Sequence, residues 1–165
     1  MDQLNVMKTV KILVVEDSPS DVRLIREALR GAPMVVHITV ARDGVEAMDY
    51  LHHCKNADSP LPDLILLDLN LPRKNGREVL MEVKSDPELK PIPVLVMTSS
   101  YDEDDIAQAY SLNANCYIRK PIDLIEYQRV VRAIEDFWFL TVTLPETYNG
   151  PLQAHPLAAS GHRVH

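Results

Sequence analysis

Short, continuous apolar runs recur along the chain, and several of them stop abruptly at a charged or hydroxyl-bearing residue. "KILVVED" (11–17) ends in Glu16–Asp17, "LILLD" (64–68) in Asp68, "VLVMTSS" (94–100) in Thr98–Ser99, and "CYIRKP" (116–121) in Lys120–Pro121. A run of four or five apolar residues with no polar alternation suits a strand covered on both faces. Such strands occur in parallel sheets, whose crossovers need helices. An unpaired carboxylate at the end of a buried strand is costly, so the repeated placement asks for a common cause.

Helical patterns fill the gaps between the runs. Ser18 is a suitable N-cap with Pro19 at the first helical position and Asp21 three residues on, followed by the stripe Val22, Ile25 and Leu29, until Gly31 stops the helix. "VVHITVA" (35–41) alternates Val36, Ile38 and Val40 and reads as a half-exposed strand at or near an edge. Asp43, with Glu46 at capping-box spacing, opens a helix that faces Val45, Met48 and Leu51 inward. Helices are expected over 76–85, with Val79, Leu80 and Val83 apolar, and over 102–112, with an acidic first turn. A long helix over 123–140 carries Leu124, Tyr127, Val131, Ile134 and Trp138 along one side. Five strands alternating with five helices predict a parallel sheet covered on both faces. The expected domain spans 8–144; residues 145–165, rich in Pro, Gly, Ala and His, read as a flexible tail.

Composition removes several function classes. A net charge of −7 over 165 residues disfavours nucleic acid as a partner. The apolar runs are too short to span a membrane. Cys54 and Cys116 form no CxxC pair, which fits a reduced, cytoplasmic setting. His52–His53–Cys54 is a poor metal site, because adjacent residues at a helix end point apart. His37 should face solvent, and the acidic run 102–105 reads as a solvated helix start.

In an open parallel sheet the strand carboxyl ends share one edge, where ligands bind. Glu16, Asp17, Asp68, Thr98 and Lys120 would therefore converge. Crowded carboxylates are relieved by a hard divalent cation such as Mg2+, with a carbonyl, here that of Asn70, completing the oxygen set. An aspartate beside Mg2+ can accept a phosphoryl group, whose oxygens the cation, Lys120 and Thr98 would neutralise.

"VVEDSPSD", "LILLDLNLP", "VLVMTSS" and "YIRKP" resemble, in order and spacing over residues 11–140, the receiver domains of two-component response regulators. The resemblance implies a flavodoxin-like sheet of order 2-1-3-4-5 and a phosphoacceptor at Asp68. It further implies Mg2+ held at Glu16 and Asp17, phosphoryl sensing by Thr98 and Lys120, a cis bond before Pro121, and an aromatic switch at Tyr117. "LPDLILLDLNLPRKNGREVL", "NCYIRKPIDL" and "IEDFW" look like the narrower group of cyanobacterial phytochrome response regulators, which implies a phytochrome-type histidine kinase as donor in a phosphorelay. With no second domain after residue 140, the expected protein is a stand-alone, non-enzymatic regulator. It would signal through a surface of the fourth helix, fifth strand and fifth helix bearing Tyr110, Tyr117, Tyr127, Phe137, Trp138 and Phe139. A homodimer is expected there, using an extension that begins at Phe137 and ends at Pro145.

Three alternatives compete. A phosphatase using an aspartyl phosphate usually places a second aspartate two residues after the nucleophile, where this chain has Asn70. A flavodoxin-like electron carrier needs a phosphate loop less acidic than "EDSPSD". A degenerate receiver acting only as a docking module would not need the full acidic set and Lys120.

Overall fold

The computed structural model describes residues 7–145, so the expected tail 145–165 lies outside the described residues except for Pro145. Strands β1 (Thr9–Val15), β2 (Val35–Ala41), β3 (Leu64–Leu67), β4 (Val94–Thr98) and β5 (Cys116–Arg119) alternate with helices α1 (Pro19–Leu29), α2 (Gly44–Asn56), α3 (Gly76–Ser85), α4 (Glu103–Ser111) and α5 (Leu124–Ile134). All strand pairs are parallel, in the order β2-β1-β3-β4-β5. The order reverses between β1 and β3, and the crevice beyond those two strands is where a ligand site is expected.

The strand sequences explain the layering. Every residue of β3 and β4 is buried, as continuous apolar runs require. Successive side chains alternate between faces. Ile65 and Leu67 join the cluster of Ala47, Leu51, Val79 and Val83 under α2 and α3, while Leu64 and Leu66 join Ile25, Leu29, Tyr127 and Val131 under α1 and α5. β2 and β5 are the edge strands, and His37 on β2 is exposed. α4 is the lightest packer, burying Ala109 alone.

Ser18 and Asp43 cap the first two helices as the sequence predicts, and Asp102 and Asp123, read as first residues of their helices, are the caps just before them. Ser18, Asp43, Asn75, Asp102 and Asp123 cap α1 to α5, with a full capping box between Asn75 and Glu78 at α3. Val22 and Val45, expected inside, are only partly buried. Gly76 permits the tight return from β3 to α3. A Cβ there would collide with the Asp68 carbonyl, and its N–H donates to Leu69 O at 3.0 Å.

The predicted helix over 123–140 is not uniform. The α-helix ends at Ile134 and widens into a π-helical segment over Glu135–Thr141. Four consecutive bulky residues, Phe137 to Leu140, cannot all share one α-helical face. The wider turn buries Phe139 and leaves Phe137 and Leu140 more than half exposed. Phe137 and Trp138 meet edge to face at 5.4 Å, and Lys8 Nζ donates to Phe139 O at 2.9 Å, tying the segment to the start of β1. Phe139 thus belongs to the core and not to the signalling surface expected of it, and Tyr127, also assigned to that surface, is buried as its place on the apolar stripe of α5 predicts. The peptide before Pro121 is also not cis: the described backbone has no cis bond. An X–Pro amide favours trans by about 0.5–1 kcal/mol unless its surroundings overrule it, and here Lys120 reaches its partners from the trans form.

Candidate functional site

The sheet itself brings the site together. Backbone bonds continue past the strand ends: Glu16 N–H donates to Ala41 O (2.9 Å), Asp68 N–H to Val15 O (3.0 Å) and Lys120 N–H to Thr98 O (2.8 Å). Glu16, Asp68 and Lys120 are thus held on extensions of β1, β3 and β5, around the end of β4 at Thr98.

Three carboxylates form the floor. Ligand oxygens of Glu16, Asp17 and Asp68 lie within 4.8 Å of one another, with Glu16 and Asp68 buried and Asp17 exposed. It is the one such acidic, His or Cys cluster among the described residues; His52 and His53 are exposed beside a buried Cys54 and join no such group. Asp17 does not cap α1, since Ser18 accepts from Asp21 N–H. Glu16 Oε1 instead accepts from Ser18 N–H at 3.0 Å, and Asp68 Oδ1 from Asn70 N–H at 3.1 Å.

Lys120 closes the site. Its ammonium contacts Glu16 Oε2 at 2.7 Å, Asp68 Oδ2 at 2.9 Å and Asp21 Oδ2 at 3.1 Å. An ammonium has three donors, and all three are engaged. Burial opposes its charge, yet hydrogen bonds to Glu16 and Asp68 outweigh that and hold it protonated well above the ordinary lysine range. Burial pushes the Glu16 carboxyl up to about 7, against the hydrogen bond from Lys120. A buried acid that resists ionising beside a second carboxylate is a group that a divalent cation would stabilise in its charged form. The donor set therefore fits a divalent cation.

Thr98 supplies the second sign of a ligand. It is fully buried, and its Oγ1 has no hydrogen-bond partner. Buried hydroxyls are normally paired, and this one keeps its bonding capacity unused at the strand ends beside the acidic cluster. Tyr117 is partly buried and donates from its hydroxyl to Ser100 O at 3.2 Å, while its N–H donates to the Tyr110 hydroxyl at 3.2 Å. Its hydroxyl is thus engaged on the β4–α4 loop, two residues beyond Thr98.

Two participants escaped sequence reasoning. Asp21, expected only as a first-turn acid, pairs with Lys120 and accepts from the Tyr127 hydroxyl at 2.9 Å. Those bonds hold its carboxyl below the usual range despite partial burial. Tyr127, read as a stripe residue of α5, has its phenol pushed up by burial and by Asp21. Only the Asp21 in "VVEDSPSD" hinted at this, because helix spacing says nothing about α1 meeting α5. Asp105 also departs from its solvated reading: it accepts from Ser100 Oγ at 2.5 Å and pairs with Arg77, which together hold its carboxyl below the ordinary range.

The chain is similar to known proteins along most of its length. The family described as the response regulator receiver domain matches residues 12–132. Response regulator Rcp1 of Synechocystis sp. is 49% identical over 135 residues, covering 81% of this chain and 92% of the relative. The probable methanogenesis regulatory protein FilR2 of Methanothrix harundinacea is 39% identical, covering 77% of this chain and 82% of the relative. Among solved structures, the phosphorylated cyanobacterial phytochrome response regulator RcpA is 51% identical with a TM-score of 0.79, covering 84% of this chain and 99% of that one. The Mn2+-bound form of Rcp1 is 48% identical with a TM-score of 0.76, covering 82% and 99%.

Proposed function

The chain belongs to the response regulator receiver family, and on that premise we propose that Asp68 accepts a phosphoryl group from the phosphohistidine of a kinase. One observation carries the reading: the buried, unpartnered Thr98 hydroxyl sits at the strand ends that also hold Asp68, Lys120 and the acidic cluster. An Asp68 oxygen attacks phosphorus, the bond to the donor nitrogen breaks, and its electron pair leaves with the imidazole, which takes up a proton. Lys120 exchanges a carboxylate partner for a phosphoryl oxygen, and the Thr98 hydroxyl gains the acceptor it lacks. Glu16, Asp17, Asp68 and the Asn70 carbonyl would hold Mg2+, which supplies positive charge for the transferring oxygens. A bound cation would favour the ionised form of Glu16, whose carboxyl burial pushes up to about 7. The metal-bound form of Rcp1 supports a divalent cation here.

The donor we assign is a phytochrome-type histidine kinase, supported by the likeness to RcpA. The response is a change of surface around α4, β5 and α5, transmitted from Thr98 through the β4–α4 loop to Tyr117. That face exposes Tyr101, Tyr110, Ile122, Ile125, Phe137 and Leu140, which supports a homodimer through it and the 137–145 extension. Light scattering that returns only monomer at about tens of micromolar, phosphorylated or not, removes the dimer from the proposal.

The direct test is intact mass after incubation with acetyl phosphate and Mg2+. The expected result is one added phosphoryl group on the wild type and none on Asp68→Asn or with chelator present. Absence of the adduct from the wild type, or its persistence in Asp68→Asn, overturns the assignment.

A further inference from the structure

Lys120 must change partners during the reaction proposed above, and the structure contains a contact that need not change. Of its three acceptors, Glu16 and Asp68 belong to the acidic cluster and Asp21 does not. A cation held by that cluster competes with the ammonium for Glu16 and Asp68, and a phosphoryl group on Asp68 claims a donor from it. Asp21, on the first turn of α1, stands outside both exchanges.

The far side of Asp21 is fixed as well. Its Oδ2 takes the Lys120 ammonium at 3.1 Å and its Oδ1 takes the Tyr127 hydroxyl at 2.9 Å. Tyr127 is 1% exposed and packs among the core residues between α1, α5 and the sheet. The ring cannot swing without opening that core, so its hydroxyl is a fixed point. A chain of contacts thus runs from the core through Tyr127 and Asp21 to the Lys120 ammonium. It spans α5, α1 and the residue after β5. Favourable placement of an acid near a helix N-terminus would not require partners on two other elements.

We propose that Asp21, buttressed by Tyr127, is a positioning residue for phosphoryl transfer. It holds the Lys120 ammonium at the mouth of the site while Glu16 and Asp68 exchange their partners. Preorganised charge of this kind costs no reorganisation at the moment of transfer. Without the anchor, Glu16 and Asp68 would be the only carboxylates holding the ammonium, and it would lose its fixed position as they exchange partners. The proposal rests on the reading of Asp68 as phosphoacceptor.

The test follows the rate of adduct formation by intact mass, with acetyl phosphate at saturating Mg2+, for the wild type, Tyr127→Phe, Asp21→Asn and the double variant. Tyr127→Phe keeps the charge and the core ring. It should slow the saturating rate about threefold and leave the Mg2+ half-saturation within about twofold. Asp21→Asn should slow the rate about tenfold. In the Asp21→Asn background, Tyr127→Phe should have no further effect, because the hydroxyl acts through the carboxylate. A purely structural role predicts multiplying effects that track the loss of melting temperature. A wild-type rate in Tyr127→Phe, or multiplying effects in the double variant, overturns the positioning role while the wild-type adduct keeps Asp68 as acceptor. No adduct on the wild type overturns both.

Discussion

Thr98 Oγ1 and Glu135 Oε1 are both buried oxygens without a hydrogen-bond partner, and their settings could hardly differ more. Thr98 closes β4 at the carboxyl end of the sheet, where Glu16, Asp68 and Lys120 converge. Glu135 opens the π-helical segment beyond α5, on the side where Phe139 meets Lys8 at the start of β1. Near Thr98 the strand ends bring together charges of both signs, Glu16 and Asp68 with Lys120. Around Glu135 there is burial, with Asp136 nearby, and both push its carboxyl upward, while Arg132 pulls the other way. An orphaned polar atom is a candidate for ligand contact when complementary groups gather near it; elsewhere it is a local cost of how the chain packs.

The sharpest break of this comparison is at the acidic floor. Asp17→Asn removes one ligand of the cluster and should raise the Mg2+ half-saturation at least about tenfold, equivalent to about 1.4 kcal/mol, in a fluorescence or calorimetric titration. Glu135→Gln should leave that titration unchanged. A matching shift in Glu135→Gln would mean that the distant carboxyl is coupled to the site after all.

The next effect separates stability from function. Thr98→Val replaces the unpaired hydroxyl with a methyl group of the same shape, and should stabilise the free protein by about 1 kcal/mol in urea denaturation. Phosphorylation should raise the melting temperature of the wild type, and that rise should largely vanish in this variant. If Thr98→Val destabilises the free protein, the hydroxyl has a partner at rest and is not reserved for a ligand.

Glu135→Gln should give a smaller gain with a distinctive pH dependence. A carboxyl raised above its unfolded value keeps its proton in the folded chain after the unfolded chain has released it. Stability therefore falls as pH rises from about 4.5 through the raised folded value. The variant, having no proton to lose, should gain up to about 1 kcal/mol over the wild type at pH 8, and that advantage should fade toward pH 4.5. A pH-independent difference would show that packing, and not charge, is at stake.

Much of this was legible without coordinates, and particular residues show why. The all-apolar β3 and β4 are buried on both faces, as they must be when period-two alternation is missing. α3 spans Gly76–Ser85 with Val79, Leu80 and Val83 inside, because capping and helical period are local properties. Glu16, Asp68, Thr98 and Lys120 could be placed on one edge, since a parallel sheet brings all its carboxyl ends together.

What the sequence could not reach depends on how separate elements meet. Asp21 finds Lys120 and Tyr127 only because α1 and α5 pack side by side on one face of the sheet. Phe139 is a core residue where the chain widens into a π-turn at Glu135 and Lys8 binds its carbonyl, a contact between the two ends of the described chain that local propensity does not show. The sequence by itself determined the order of elements, the burial of the central strands and the gathering of acids at their ends. The tertiary structure decided which carboxylates share the ammonium, which hydroxyl goes unpaired and which aromatics face solvent. Periodicity and capping act over a few residues, whereas ion pairs and orphaned atoms arise where distant segments touch.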